Sequence, residues 1–309
     1  MAKFVNLSEL DLGVPDDRIA RAMKPFVATG ADYGSERWDA EIALRRKRLS
    51  KRLRNRLLGS LIGRRNRDTQ KVRDEYDAVW AEGYERYRAK RDDARYSPWL
   101  WRDKQILFDA AGAPRFRSLL YGAVIDALKP KRVLEVGSGD GINLLLLAGV
   151  FPKISFTGLE LTDSGHHTAM AAKSADALPP ALEGYSVLPQ KDPLAFQRID
   201  FVQGNACRMP FEDNAFDLVM TILSVEQMER VRHQALTEIV RVTRNHVLNL
   251  EPFQDINANG VRRLNVRSRD YFRGKVDELV QYGLAPVWAT GDFPQEVFLG
   301  AALVLSRKT

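Results

Sequence analysis

The most regular hydrophobic pattern in the chain lies at residues 133–148, VLEVGSGDGINLLLLA. A short apolar run with β-branched residues comes first, three alternating glycines follow, and an unbroken apolar run begins at Ile142. The first run is typical of a buried strand and the second of a helix. Glycine destabilises an ordered element unless the backbone needs unusual dihedral angles or a ligand approaches closely. The pattern therefore predicts a strand, a tight turn that meets a ligand, and a helix.

A second pattern occupies the N-terminal third, where leucines at positions 49, 53, 57 and 61 recur every four residues, as on one side of a helix. The helical pattern continues to about residue 96. Ser97 and Pro98 form a helix-start signal, and the sequence Lys-Pro-Lys at 129–131 ends that helical region. We therefore expect a helical extension at residues 1–96 and the main domain at residues 97–309.

The amino-acid composition indicates the general class of protein but not its function. The chain has 309 residues, 45% of them hydrophobic, which is ordinary for a globular protein. Cys207 is the single cysteine, so an intramolecular disulfide and a cysteine-based zinc cluster are excluded. We found no signal-peptide pattern and no apolar run long enough to span a membrane. The expectation is a cytoplasmic protein without a bound metal.

The positive charge is concentrated in one part of the chain. Residues 45–73 contain thirteen Lys or Arg and one acid, a local charge of +12, whereas the whole chain carries +7. The residues outside 45–73 therefore carry a net charge of −5. Three interpretations of residues 44–67 are open: a solvated helix docked on the protein, a helix on an anionic membrane surface, and a contact with nucleic acid. The leucines favour the membrane over the nucleic acid, because nucleic acid does not require an apolar face.

The glycine spacing distinguishes two kinds of nucleotide-binding loop. A dinucleotide fold requires G-x-G-x-x-G, whereas the glycines here stand at 137, 139 and 141 and follow Glu135. The sequence EVGSGDG resembles the first motif of class I S-adenosylmethionine-dependent methyltransferases. Four later stretches follow in that family's order: FTGLEL at 156–161, GNACRMPFEDNAFDLVM at 204–220, ALTEIVRVTRNHVLNLEPF at 235–253 and EVFLGAALVLSR at 296–307. The resemblance covers about residues 97–309 and implies an α/β, doubly wound Rossmann-like sheet.

The resemblance also implies a cofactor, S-adenosylmethionine, and its product, S-adenosylhomocysteine. Glu160, nineteen residues after Gly141, stands where the family binds the ribose hydroxyls. The residues expected at the cofactor are Glu135, Gly137, Ser138, Gly139, Gly141, Glu160, Leu161, Asn205, Ala206, Cys207, Ile222 and Arg102. In similar enzymes a helix ahead of the first strand closes the site, so we expect residues 97–104 to lie over the cofactor, with Arg102 on the methionine carboxylate.

The sequence departs from the family pattern at two positions. Asn205 replaces the usual acid of the adenine loop, although its carboxamide oxygen can still accept a hydrogen bond. After the fourth strand of the family, Glu226 matches the acid and Gln227 replaces a histidine that often faces the substrate. A base helps only when the acceptor must lose a proton. The candidates for this role are Glu226, His166, His167, Asp255 and Tyr271.

Two further segments carry expectations about the acceptor. The stretch between Glu160 and Asn205 is longer than a minimal crossover needs, so we expect it to cover the cofactor or build the acceptor pocket. Four arginines after the fifth strand, at 262, 263, 267 and 269, could recognise a phosphate or carboxylate.

The sequence as a whole predicts a methyltransferase that acts on a small molecule or on a glycan. One form of this prediction is a glycan that is attached to a lipid. One alternative is an RNA or protein methyltransferase that holds its partner with the basic N-terminal arm. The other is a non-catalytic scaffold that binds the cofactor, which the missing histidine suggests and the intact cofactor motifs oppose. The acceptor atom stays open between O, N and C.

Overall fold

The computed structural model describes residues 13–29, 34–61 and 69–309. The helices are α1 (Asp16–Met23), α2 (Glu36–Leu61), α3 (Thr69–Trp80), α4 (Ala113–Leu128), α5 (Ile142–Val150), α6 (Asp163–Lys173), α7 (Arg232–Val242) and α8 (Gly260–Arg269). The strands are β1 (Tyr96–Trp101), β2 (Lys104–Asp109), β3 (Arg132–Val136), β4 (Ser155–Glu160), β5 (Asp200–Gln203), β6 (Phe216–Ile222), β7 (Thr243–Glu251), β8 (Leu284–Thr290), β9 (Gln295–Glu296) and β10 (Ala302–Lys308).

The main sheet has seven strands in the order β5-β4-β3-β6-β7-β10-β8. Strands β3 to β7 are parallel, and β10 runs antiparallel to both of its neighbours. Successive side chains of a strand point to opposite faces. Val133 accordingly packs into the core under α4 and α5, whereas Leu134 and Val136 join the core under α7. Helices on both faces confirm the predicted doubly wound α/β fold.

A smaller antiparallel sheet, β2-β1-β9, replaces the helix that the sequence predicted at residues 97–104. Ser97 and Pro98 lie inside β1 rather than at a helix start, and the chain reverses at Arg102, whose φ is +55°. Trp99 and Trp101 are both buried in the core. The prediction failed because the aromatic residues of this stretch gain more from packing in a sheet than the Ser-Pro signal contributes to a helix start.

Helix α2 contains the described part of residues 44–67 and packs against α8 and β1. Leu49 is buried, Arg45 forms an ion pair with Glu296 at 3.0 Å, and Arg52 donates a hydrogen bond to Asn265 at 2.6 Å. Leu57 is exposed. The described part of the helix is therefore docked, while the membrane and nucleic-acid interpretations of residues 44–67 stay predictions, with residues 62–67 outside the described part. No helix within the described ranges is long and apolar enough to cross a membrane.

The long stretch between Glu160 and Asn205 packs on the side of the domain, and of its residues Leu161, Thr162 and Gly204 line the cavity in the described structure. Tyr185 is buried against Phe26, with ring centroids 5.9 Å apart. Arg115 of α4 donates a hydrogen bond to the carbonyl of Tyr185 at 2.6 Å. This corrects the expectation that the stretch covers the cofactor or forms the acceptor pocket.

The docking of α2 predicts a stability effect for Arg52→Met. The substitution removes the hydrogen bonds to Asn265 and Ser268, and the free energy of unfolding should fall by about 1–2 kcal/mol. Arg54→Met is the matched control, because Arg54 is exposed on the same helix. Denaturant titration of both variants checks the prediction, and equal stabilities would contradict the docking.

Candidate functional site

A cavity of about 670 Å³ opens at the carboxyl ends of β3, β4 and β6. In open α/β sheets this edge is where ligands bind. The wall consists of Arg73, Tyr76, Trp80, Tyr87, Pro114, Arg117, Glu135, Gly137, Ser138, Asp140, Ile142, Asn143, Leu159, Glu160, Leu161, Thr162, Gly204, Asn205, Ala206, Cys207, Ile222, Leu223, Ser224, Glu226, Gln227, Met228, Arg230, Val231, Gln234 and Asp270. The volume is in the range of small-molecule and cofactor sites.

The glycine turn after β3 contributes Gly137, Ser138 and Asp140 to the cavity wall, whereas Gly139 and Gly141, also expected at the cofactor, do not line it. Gly137, Gly139 and Gly141 all have positive φ angles, of +75°, +57° and +78°. Residues other than glycine rarely adopt such angles. A Cβ atom on Gly137 would lie 2.5 Å from the Cβ of Ser224. The glycines thus bring backbone close to the neighbouring loop, and α5 begins directly after Gly141 with its amide groups toward this end.

Glu135 is a buried carboxylate at the end of β3 that faces the cavity. Its Oε1 accepts a hydrogen bond from Asn143 at 2.7 Å, while Oε2 is buried with no hydrogen-bond partner in the described structure. Burial raises the pKa of Glu135 to about 8, and the nearby carboxylates of Asp140 and Glu160 add to the increase. A cation placed against Oε2 would favour the ionised form.

Glu160 ends β4 on the other side of the glycine turn. Its Oε2 accepts the N–H of Gly139 at 2.8 Å, and its Oε1 accepts the N–H and the hydroxyl of Thr162 at 2.9 and 2.6 Å. The carboxylate is therefore held rigidly beside the turn, and Leu161 continues the same wall.

The loop after β5 supplies the third part of the wall through Asn205, Ala206 and Cys207. The Oδ1 atom of Asn205 accepts the N–H of Cys207 at 2.8 Å, so this side chain shapes the turn. Burial raises the pKa of the Cys207 thiol, and the charge of Glu238 adds to the increase. The thiol is accordingly protonated and behaves as a small apolar group.

The loop after β6, which packs against Gly137 through Ser224, forms another part of the wall around Glu226 and Gln227. Glu226 is buried and accepts a hydrogen bond from Gln227 at 2.5 Å. Glu251, at the end of β7, accepts the backbone N–H groups of Ser224, Val225 and Glu226 at 3.0–3.1 Å. Burial raises the pKa of Glu251 to about 8, with a further increase from Glu226. Glu251 therefore fixes the backbone that presents Glu226 to the cavity.

The N-terminal extension closes one side of the cavity through Asp140 of the glycine turn. Arg86 forms an ion pair with the Asp140 carboxylate at 2.7 Å, and Tyr84 donates a hydrogen bond to its backbone carbonyl at 2.6 Å. The Arg86 guanidinium lies 4.3 Å above the Trp80 ring. A Cβ atom on Gly139 would lie 2.5 Å from that indole. Trp80 thus packs directly on the turn.

The same extension also holds the segment that follows Glu160. Asp77 of α3 accepts the N–H and hydroxyl of Ser164 at 2.9 and 2.7 Å, and Arg73 pairs with Asp163 at 2.8 Å. The sequence analysis did not predict that the N-terminal extension covers the glycine turn, because it expected residues 97–104 to lie over the cofactor. The aromatic residues in DEYDAVWAEGYERY, at 74–87, were the available signal.

Several sequence-based candidates lie away from the cavity. Arg102 pairs with Asp16 and Asp292 at the hairpin turn, which corrects its expected place over the cofactor. His166 contacts the carbonyl of Phe201, and His167 is exposed.

Two more candidates for catalysis have structural contacts instead. Asp255 accepts the N–H of Val276, and the Tyr271 hydroxyl accepts a hydrogen bond from Arg269. None of these residues lines the cavity, so Glu226 is the catalytic candidate that the geometry places there. The described residues contain no cluster of three or more side chains arranged to hold a metal ion.

Comparisons with known proteins agree with this geometry. Residues 134–248 match the family model described as a methyltransferase domain. A fatty-acid O-methyltransferase of Mycolicibacterium smegmatis is 32% identical over 114 residues, 37% of this chain and 34% of that protein. A phthiotriol/phenolphthiotriol dimycocerosates methyltransferase of Mycobacterium ulcerans is 33% identical over 119 residues, 38% and 35% of the two chains. The chain thus matches about a third of the length of these relatives.

Among solved structures, the [4+2]-cyclase SpnF aligns with a TM-score of 0.51 at 17% identity, over 78% of this chain and 96% of that chain. At this identity the likeness concerns the fold alone. The matched family model and these relatives support a class I S-adenosylmethionine-dependent methyltransferase domain at residues 134–248, and the solved structure shows a similar fold.

The Arg86–Asp140 ion pair predicts a large effect for Arg86→Met. The Asp140 side chain is 1% exposed. Because the substitution leaves this buried carboxylate without its cation, the free energy of unfolding should fall by about 3 kcal/mol. Hydrogen exchange in α3 should accelerate together with the loss of stability, because the pair attaches the extension to the turn.

Arg88→Met is the matched control for this prediction. Arg88 lies in the same segment but is 60% exposed and pairs with Glu85 at the surface. Its replacement should change the free energy of unfolding by less than about 1 kcal/mol. Equal effects of the two substitutions would contradict the attachment through Asp140.

Proposed function

We propose that this chain transfers the methyl group of S-adenosylmethionine to a small-molecule or glycan acceptor that carries an apolar, lipid-like part. The observation that carries the proposal is the continuous cavity itself. It joins the glycine turn, Glu135 and Glu160 at one end to the loop of Glu226 at the other. A cofactor at the first end and an acceptor at the second would meet inside the same cavity, where positioning accelerates the transfer.

The residues at the first end fit the proposed cofactor. The buried Oε2 of Glu135 lacks a partner, and the methionine ammonium of S-adenosylmethionine would supply one. Glu160 offers a fixed carboxylate to ribose hydroxyls, and Gly137 lines the cavity with backbone alone. When bound, the cofactor supplies an electrophilic methyl group on a sulfonium sulfur.

The protein's own residues would then act on the acceptor and on water. Glu226 would accept a proton from an acceptor hydroxyl or amine, because it is the buried carboxylate at that end of the cavity. Glu251 would hold Glu226 in position through the three backbone amides. Trp80, packed on the glycine turn, would exclude water from the cofactor side.

The lipid-like part of the acceptor is supported by two observations. The acceptor end contains the apolar side chains of Pro114, Met228 and Val231 beside Glu226. The relatives named above act, by their names, on a fatty acid and on phthiotriol dimycocerosates. Both point to an acceptor with a substantial hydrocarbon portion.

The alternatives receive less support from the described residues. An RNA or protein partner held by the basic arm would have to use exposed side chains of α2 such as Arg46, Arg48 and Arg54, because Arg45 and Arg52 bind other parts of this chain. A non-catalytic scaffold would not need a carboxylate presented to the cavity at Glu226. A peripheral membrane position would rest on the exposed Leu57 and Leu58.

Calorimetry with S-adenosylhomocysteine tests the cofactor assignment. Glu160→Ala should weaken binding by about 2–4 kcal/mol, because two hydrogen bonds to a charged acceptor are lost. Asp126→Ala is the control, since Asp126 is exposed on α4. Circular dichroism must show that the Glu160 variant is folded. Unchanged affinity in that variant, or tight binding of a nicotinamide dinucleotide, would refute the assignment.

The raised pKa of Glu135 predicts a pH dependence of cofactor binding. Without ligand the carboxyl is protonated below about pH 8, whereas the methionine ammonium favours the ionised form. Binding must therefore release a proton below pH 8, and affinity for S-adenosylhomocysteine should fall by up to about tenfold per pH unit from 8 to 6.

Glu135→Gln should bind more weakly at pH 8 and lose this slope. Its side-chain carbonyl can still accept the hydrogen bond that Asn143 gives to Glu135, so the fold is preserved. Calorimetry in two buffers of different ionisation enthalpy measures the released proton directly. A variant that kept the wild-type slope would assign the proton to another group.

A further inference from the structure

Arg117 has the most unusual environment of the cationic side chains that line the cavity. It projects from α4, and its Nε atom is buried with no hydrogen-bond partner. Within residues 13–29, 34–61 and 69–309, no carboxylate or carbonyl accepts a hydrogen bond from its guanidinium. The guanidinium carbon Cζ of Arg117 lies 5.8 Å from the centre of the Phe116 ring.

Other enclosed arginines of the chain have acceptors. Arg86 pairs with Asp140, Arg115 donates to the carbonyls of Ala22, Gly184 and Tyr185, and Arg262 donates to two backbone carbonyls. Arg117 is half-buried, and a guanidinium that is partly removed from water without a hydrogen-bond acceptor loses hydration that only the nearby charges of Glu226 and Glu296 offset. Burial lowers the pKa of Arg117, which reflects the same cost. A ligand that brings an anion into the cavity would remove it.

The position of Arg117 separates two possible anions, the methionine carboxylate of the cofactor and a group on the acceptor. The carboxylates whose charges act on Arg117 are Glu226 and Glu296. Those that act on Glu135, at the cofactor end, are Asp140 and Glu160. Arg117 is thus within electrostatic reach of Glu226, at the proposed acceptor end, and of Tyr121, whose hydroxyl donates a hydrogen bond to Asn143 beside Glu135.

We propose that the acceptor is an apolar chain that bears a carboxylate, and that Arg117 binds this carboxylate with its guanidinium. The planar fork of Arg matches the two oxygens of a carboxylate. Pro114, one turn before Arg117 on α4, and Met228 and Val231 on the facing loop provide apolar contacts for the chain. This inference rests on the proposed methyl transfer, since it describes the acceptor end of the same cavity.

The test uses the protein saturated with S-adenosylhomocysteine and three probes of equal chain length: laurate, dodecanol and methyl laurate. Laurate should bind about ten- to a hundredfold more tightly than the two neutral probes, the range expected for hydrogen bonds to a charged group. Arg117→Met should abolish this preference. Arg263→Met, an exposed arginine on α8, should retain it.

The outcomes that overturn the inference are distinct from failure of the proposed function. Equal binding of the three probes to the wild type would overturn it. So would a loss of S-adenosylhomocysteine affinity in Arg117→Met with unchanged affinity for methylthioadenosine, which lacks the amino-acid part, because Arg117 would then hold the cofactor. If the wild-type protein fails to bind S-adenosylhomocysteine at all, the proposed function itself fails.

Discussion

The buried ion pair between Arg86 and Asp140 is the interaction on which the arrangement of the site depends. Asp140 stands in the middle of the glycine turn and is almost fully enclosed, so its charge needs a cation close by. Burial raises its pKa, and Arg86 opposes this increase. The cation comes from the N-terminal extension, which brings Trp80 onto the turn. The extension is therefore a structural part of the cavity rather than an appendage to it.

The sequence predicted the sheet and its ligand-binding turn because those features arise from local patterns. Five apolar strands, a G-x-G-x-G turn and the acid Glu160 follow in fixed order, and each occurs at the predicted place. The cover over the turn could not be predicted in this way. It depends on contacts such as Asp77 with Ser164, 87 positions apart, which no local pattern records. The hairpin at residues 96–109 was missed for a related reason, because its burial is decided by the rest of the fold.

The basic segment shows why net charge alone does not identify a partner. A charge count registers Lys and Arg but not the neutral acceptors that can engage them. Arg52 binds the amide oxygen of Asn265 and the hydroxyl of Ser268, and Arg56 binds a backbone carbonyl of α8. Part of the +12 charge is thus engaged by groups of the same chain that carry no formal charge.

The charges around the cavity divide it into two ends of opposite character. Glu160, together with Glu135 once a cation favours its ionised form, gives the glycine end a negative wall, which suits a ligand with an ammonium group and ribose hydroxyls. Arg117 gives the other end a positive group with no acceptor of its own in the described structure, although Glu226 lies in the same region. With an acceptor that carried only neutral groups, the guanidinium would have only the charges of Glu226 and Glu296 to compensate it. An acceptor with a carboxylate compensates it, and in doing so fixes the rest of the molecule relative to Glu226. The same buried charge that destabilises the empty cavity would therefore select the acceptor that fills it.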